Sequence, residues 1–130
     1  MIVIDSSAIV AVFLKEPGFA QLLGVMRDSH RPHVSAANLL EVLMVLDGCS
    51  GTDNRGLMQR WLDRLDIAIE PVTARQVWLA HDAFRRFGRG FHPAHLNYGD
   101  CFAYALAREL DMPLLYKGDD FPLTDIRPAI

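Results

Sequence analysis

The sequence predicts an α/β fold in which a central parallel sheet is covered by helices on both faces. Short apolar runs alternate along the chain with longer segments whose apolar residues recur every three or four positions. Strands that are apolar throughout are typical of parallel sheets, which helices bury on both sides. The chain has 130 residues, of which 51% are hydrophobic, so it can build one core but not two. We therefore expect residues 1–130 to form a single domain.

The first half of the chain begins with a β-branched strand and continues with helices that end at turn residues. Asp5-Ser6-Ser7 follows the strand and contains the residue types that cap helix N-termini. Pro17-Gly18 separates the first helix from the second, and Gly48-Cys49-Ser50-Gly51 is expected to end the third. The elements predicted here are strand Ile2–Ile4, helices Ala8–Lys15 and Phe19–Met26, strand His33–Ser35 and helix Asn38–Asp47.

The second half repeats the alternation of helix and strand. Pro71 ends a short apolar run, and Thr73 can cap the helix that follows it. The segment Gly88–Asn97 is rich in Gly, His and Pro, which predicts a loop. The elements predicted here are helix Leu57–Leu65, strand Ile67–Ile69, helices Ala74–Phe87 and Tyr98–Leu110, and strand Pro113–Tyr116, with Trp61 and Trp78 expected in the core.

Charge and cysteine content exclude several classes of protein. Thirteen Lys and Arg face sixteen Asp and Glu, and the net charge of -3 excludes nucleic-acid binding by bulk positive charge. Cys49 and Cys101 are too few for a disulfide framework, which predicts a reducing cytoplasm. The apolar N-terminus carries Asp5 and is interrupted by Lys15, so it predicts a strand and a helix and no membrane anchor.

Acidic residues stand where the carboxyl ends of parallel strands would gather them. Each acid alone could cap a helix or face its dipole, worth about 1 kcal/mol. Glu41 is different, because it lies within the apolar segment NLLEVLMVL and a buried carboxylate is costly without a cation. A cluster of carboxylates favours Mg²⁺ or Mn²⁺ over zinc. The acids concerned are Asp5, Glu41, Asp100, Asp119 and Asp120.

Four segments together resemble PIN-domain proteins, and in particular the VapC toxins of type II toxin–antitoxin pairs. They are IDSSA (4–8), the helix with Glu41, LNYGDCFAYALA (96–107) and PLLYKGDDF (113–121). The resemblance spans essentially the whole chain in the same order. It implies a PIN-like α/β/α sandwich, Mg²⁺-dependent endoribonuclease activity with Mn²⁺ as a substitute, a cognate VapB-like antitoxin and a homodimer.

The resemblance also implies roles for the acids. Asp5, Glu41 and Asp100 match the first three acids of the family, and together with Asp119 they would be catalytic. Many members have a further acid where this chain has Gly118, so either Asp119 or Asp120 must be the fourth. We expect Asp119 to fill that role while Asp120 caps the turn that follows. The metal ligands would be drawn from Asp5, Glu41, Asp100, Asp119 and Asp120, and whether they bind one ion or two stays open.

Six further residues are candidates for support of the acids or for RNA contact. Ser7 matches a hydroxyl position beside the first acid, and Asn97 either fills a polar position of the family or simply caps a helix. Lys117 would contact phosphate or balance the acids. Arg85, Arg86 and Arg89 would contact RNA phosphates or only face a helix C-terminus.

Two other functions and one interaction surface are also predicted. A haloacid-dehalogenase-type phosphatase would open with a similar strand, but Ser7 stands where its second Asp belongs. A PIN-fold binding module without activity is the other alternative. A groove for a partner helix or a dimer face is expected from part of an apolar set that comprises Phe19, Leu22, Leu23, Met26, Leu43, Val45 and Leu46. No pattern in the sequence indicates the RNA target.

Overall fold

A four-stranded parallel sheet forms the centre of the computed structural model, which describes all 130 residues. The strands are β1 (Val3–Ile4), β2 (His33–Ser35), β3 (Ala68–Glu70) and β4 (Leu114–Leu115). They lie in the order β3-β2-β1-β4, and every neighbouring pair is parallel. The chain thus adds β2 and β3 on one side of β1 and then crosses to the other side for β4. The carboxyl ends of β1 and β4 consequently flank a topological switch point.

Six helices and one 3₁₀ turn connect the strands. They are α1 (Ser6–Phe13), α2 (Phe19–Asp28), α3 (Ala36–Ser50), α4 (Arg55–Arg64), α5 (Ala74–Phe87), α6 (Tyr98–Leu110) and the turn Phe121–Leu123. Every predicted element is present; the ends of β2, α5 and α6 match the prediction, and the others shift by one to three residues at one or both ends. The largest shift is in α3, which passes through Gly48 and ends where Gly51 adopts a left-handed conformation with φ 71°. None of the helices has the combined length and apolar character needed to cross a membrane.

Core residues divide between the two faces of the sheet. Ile2 and Ile4 pack with residues of α1 to α4, whereas Val3 between them packs with α5 and α6. Leu115 and Leu114 divide in the same way on β4. Successive side chains of a strand point to opposite faces, so both faces are buried by apolar residues. The α/β/α sandwich predicted from the sequence is confirmed.

Of the apolar set from which a partner surface was expected, Leu22, Met26 and Leu46 belong to the core, whereas Val45 is 39% exposed. In α3, Val42 and Leu46 face the core, whereas Leu40 and Met44 are 59% and 67% exposed. Trp78, expected inside, is 71% exposed. One group of exposed apolar side chains lies on α3, α5 and α6, and we name it the apolar strip: Leu40, Met44, Val77, Trp78, Tyr98 and the half-buried Phe102.

Candidate active site

A polar cavity of about 450 Å³ opens at the switch point between β1 and β4. The loop after β1, the helices α3 and α6, and the loop after β4 all contribute side chains to it. Asp5, Glu41 and Asp100 line this acidic cavity, as the sequence predicted, although they are 36 and 59 residues apart along the chain. Ser7, Asn97 and Lys117 line it as well.

Asp5 connects β1 to α1 and is the most buried of the acids. It is the N-cap of α1, and its Oδ2 accepts a hydrogen bond of 3.0 Å from the Ser7 backbone N–H. Only 1% of Asp5 is exposed, and its Oδ1 has no hydrogen-bond partner. Burial raises the pKa of Asp5 to about 7; the charges of Asp100 and Glu41 add to the rise, and hydrogen bonds from Ser7 oppose it. This carboxylate therefore lacks a compensating positive charge.

Glu41 is fixed by two polar side chains that the sequence did not single out. The Ser6 hydroxyl donates to Glu41 Oε1 at 2.6 Å, and the Asn38 amide donates to the same oxygen at 3.3 Å. Asn38 is completely buried and also donates to the Gly99 carbonyl at 2.9 Å, which ties α3 to α6. The available signal was the spacing, since Asn38 lies three residues before Glu41 in an apolar segment.

Gly99 allows α6 to approach the Glu41 carboxylate. A Cβ atom at position 99 would lie 2.5 Å from Glu41 Oε2 and 2.6 Å from Oε1. Any larger residue would therefore push the carboxylate out of place. The glycine before Asp100 thus has a steric role in the cavity.

Asp100 takes part in a capping box at the start of α6. Asn97 Oδ1 accepts from the Asp100 backbone N–H at 2.9 Å, and Asp100 Oδ2 accepts from the Asn97 N–H at 3.0 Å. Asn97 is therefore a helix cap, one of its two predicted roles. Desolvation raises the pKa of Asp100 to about 6, with contributions from Asp120 and Glu41, and the backbone hydrogen bond from Asn97 opposes the rise.

The loop after β4 brings one cation to the cavity. The Lys117 backbone N–H donates to Ser7 Oγ at 2.9 Å, and its ammonium contacts Glu16 Oε1 at 3.3 Å. Gly118 has φ 117°, a conformation that favours glycine. Glu16 also lines the cavity, and nothing in its local sequence pattern predicted this.

The two acids of that loop, Asp119 and Asp120, are both exposed, and neither lines the cavity. The expectation that Asp120 caps the following turn is wrong, because its side chain makes no capping hydrogen bond. Instead, the charge of Asp120 reaches Asp100 and raises its pKa. Of the two loop acids, Asp120 is therefore the one whose charge acts on a cavity acid.

Arg85, Arg86 and Arg89 do not line the acidic cavity. Arg86 pairs with Asp125 at 3.2 Å and Asp82 at 3.7 Å, so its charge is used within the fold. The Arg85 guanidinium lies 5.3 Å from the centre of the Phe91 ring, and the exposed Arg89 lies in the loop after α5. Contact of these arginines with RNA remains a prediction.

The acids of the cavity fit a hard divalent cation. Asp5 Oδ1 is an unpartnered, buried carboxylate oxygen, and Asp100 is a second acid whose ionised form burial disfavours. No three acidic, His or Cys side chains are arranged to enclose an ion by themselves. Mg²⁺ commonly binds through one or two carboxylates and keeps several waters, so this arrangement suits it.

Comparison with known proteins identifies the family. The PIN domain model matches residues 2–126. A ribonuclease VapC of Mycolicibacterium smegmatis is 43% identical, covering 95% of this chain and 96% of the relative, and ribonuclease VapC42 of Mycobacterium tuberculosis is 41% identical over 98% of both. The crystal structure of M. tuberculosis VapC20 is described as that of a sarcin–ricin loop cleaving toxin. It superposes with a TM-score of 0.72, covering 98% of this chain and 100% of VapC20. The two sequences are 18% identical, so this likeness shows a shared fold alone. The chain therefore belongs to the PIN domain family, among relatives that are VapC ribonucleases.

Proposed function

We propose that this protein is a Mg²⁺-dependent endoribonuclease and the toxin of a VapBC-type toxin–antitoxin pair. The observation that carries the proposal is Asp5: a fully buried carboxylate with an unpartnered oxygen, at the switch point of a PIN fold, beside Glu41 and Asp100. Its full-length relatives are ribonucleases by name, which supports the same reaction here. The predicted compartment is the cytoplasm.

The chain's own residues divide the work of the site. Asp5 and Asp100 would hold the cation, with Asp120 or Asp119 contributing from the loop. Every hydrogen bond to Glu41 goes to Oε1, which leaves Oε2 to orient the attacking water or accept its proton. When bound, Mg²⁺ supplies charge stabilisation for the phosphodiester transition state and lowers the pKa of a water. Lys117 would contact a phosphate of the RNA.

The test is cleavage of total cellular RNA by the purified chain, with 5′ ends mapped by sequencing. We expect discrete cuts in Mg²⁺ or Mn²⁺ and none in EDTA. The mapped ends would also identify the RNA target of this chain. The 18% identity to VapC20 is too low to assign the target of that protein to this one. Metal-independent cleavage, or none by a folded, metal-loaded chain, would contradict the proposal.

A PIN-fold binding module without activity is the alternative that this test addresses. It predicts that RNA binds and stays intact in Mg²⁺. The phosphatase hypothesis has no support from the comparisons, since the PIN model accounts for residues 2–126.

We further propose that a VapB-like antitoxin restrains the enzyme in the cell. Expression of the chain alone should slow growth, and co-expression of the neighbouring gene should restore it. The two proteins should co-elute in size-exclusion chromatography. Normal growth during expression of a folded, active chain would contradict the toxin role.

The apolar strip is the face that we assign to a second copy of this chain. Its two adjoining hollows, of about 430 and 370 Å³, share Tyr98 and Phe102, and their only charge-bearing side chains are Glu41 and His81. Two copies that face each other would therefore bring few charged groups together, and Trp, Tyr and Met are common at interfaces. Light scattering should show a dimer for the parent and a monomer for Met44→Asp. If Met44→Asp leaves the mass unchanged but blocks antitoxin binding, the strip belongs to the antitoxin instead.

A further inference from the structure

Glu16 and Lys117 form an ion pair at the edge of the acidic cavity that the proposed mechanism does not yet explain. The Lys117 ammonium lies 3.3 Å from Glu16 Oε1, and both side chains line the cavity. They are 33% and 37% exposed, so the pair is accessible from solvent. An exposed pair of this kind contributes about 0–1 kcal/mol to stability, which is too little to explain its position by folding alone.

Lys117 is the only cation that lines a cavity containing four carboxylates, those of Asp5, Glu16, Glu41 and Asp100. Its backbone is close to the buried Asp5, because the Lys117 N–H donates to Ser7 Oγ and the Ser7 N–H donates to Asp5 Oδ2. A lysine has a flexible four-carbon stem, so an unrestrained ammonium would be attracted to the buried carboxylates. There it would neutralise the charge that a divalent cation needs.

Glu16 is well suited to prevent this. It lies in the turn between α1 and α2, where its N–H bonds the Ala11 carbonyl at 2.9 Å and its own carbonyl accepts from Phe19 N–H at 3.0 Å. Pro17 follows it and stiffens the turn. The carboxylate is thus presented from a fixed backbone.

We propose that Glu16 is a positioning residue whose carboxylate holds the Lys117 ammonium at the edge of the acidic cavity, leaving Asp5, Glu41 and Asp100 open to a divalent cation. Held there, the ammonium faces incoming RNA phosphate; this second half rests on the proposed ribonuclease function. Glu16 acts through Lys117 and need not touch the metal or the RNA.

The test is a double-mutant cycle with Mn²⁺ binding, measured by calorimetry on the full chain without RNA. We expect Glu16→Gln to weaken Mn²⁺ binding about 5–10-fold when Lys117 is present, and by less than about 2-fold in the Lys117→Met background. Glu16→Asp, which keeps the charge, should restore part of the loss. Asp66→Asn is the matched control, because it breaks the 3.2 Å ion pair between Asp66 and Arg31. Arg31 precedes β2 and Asp66 precedes β3, so this pair lies at the amino ends of the strands, whereas the cavity lies at their carboxyl ends. It should leave Mn²⁺ affinity unchanged.

Equal losses from Glu16→Gln in both backgrounds would overturn the proposal, since Glu16 would then act through its own charge or as a ligand. No loss in either background would overturn it as well. Thermal unfolding of each variant should match the parent, as both positions are partly exposed. If the two residues are coupled in Mn²⁺ binding but the chain does not cleave RNA, the proposed function is refuted and the positioning role stands. If the chain cleaves RNA but the two residues are not coupled, the positioning role is refuted and the proposed function stands. If the parent chain binds no Mn²⁺, both are wrong.

Discussion

The acids that line the cavity and the acids of the loop after β4 are held by the fold in opposite ways. Asp5 and Asp100 each stand at a helix N-terminus, accept backbone hydrogen bonds and carry raised pKa values. Asp119 and Asp120 follow β4, are exposed and have no side-chain hydrogen bonds. The difference indicates that helix ends fix the carboxylates whose desolvation costs free energy. The loop supplies an exposed carboxylate whose position can change.

The largest effect should come from neutralising the acids that line the cavity. Asp5→Asn, Glu41→Gln and Asp100→Asn should each reduce RNA cleavage by about 10²–10³-fold or more, because each removes charge from the cation site. Circular dichroism should show an unchanged fold. If these variants cleave RNA like the parent, or are inactive only because they unfold, the cavity acids do not have the role in cleavage that distinguishes them here from the loop acids.

Filling the space beside Glu41 should have the next largest effect. Gly99→Ala would place a methyl group 2.5 Å from Glu41 Oε2, so we expect cleavage to fall about 10–100-fold as the carboxylate moves. Gly48→Ala is the control on the same helix as Glu41, because nothing lies within 4 Å of the added Cβ. It should keep full activity and stabilise the chain by about 0.5–1 kcal/mol. Similar activity in the two variants would argue against a steric role for Gly99.

The buried Asp5 should also make the metal-free protein less stable as the pH rises. The pKa of Asp5 rises from an ordinary 3.8 to about 7 on folding. Neutral Asp5 therefore makes its full contribution to the free energy of unfolding below about pH 4. This contribution is lost as the pH rises towards about 7, where the folded protein must hold the ionised carboxylate. In EDTA at pH 8, Asp5→Asn should be more stable to urea than the parent by roughly 2–4 kcal/mol, and at pH 4 the advantage should disappear. Added Mg²⁺ should reduce the stability difference between Asp5→Asn and the parent at pH 8, because the ion binds the folded parent with Asp5 ionised. A pH-independent difference would show that Asp5 is not desolvated as described.

The smallest effect should separate the two loop acids. Asp120→Asn should lower cleavage about 10-fold, since the Asp120 charge reaches Asp100, whereas Asp119→Asn should change it by less than about 2-fold. Initial rates at saturating Mg²⁺ would measure both. The reverse order would restore Asp119 as the fourth acid.

The sequence predicted the strands, the layers and the three acids that line the cavity because these depend on local patterns. Strand runs, helix caps and the acids that follow them are legible within a few residues. The support of Glu41 by Ser6 spans 35 residues and the Lys117–Glu16 pair spans 101, so no local pattern contains them.

The division of the predicted apolar set between core and surface could not be predicted for a similar reason. In α3 apolar residues occur on every side, so periodicity could not decide whether Leu46 or Met44 faces the core. Only the packing of α1 against α3 decides it, and Leu46 is 4% exposed where Met44 is 67% exposed.

The capping box of α6 constrains how an inactive form of this protein should be made. Asp100 serves the cavity, and its Oδ2 also accepts from the Asn97 N–H that starts the helix. Asp100→Ala would remove that acceptor and destabilise the chain by about 1 kcal/mol, whereas Asn keeps an oxygen in the same place. A structural biologist who needs a harmless chain for large-scale expression, or for co-crystallisation with intact RNA, should therefore choose the asparagine.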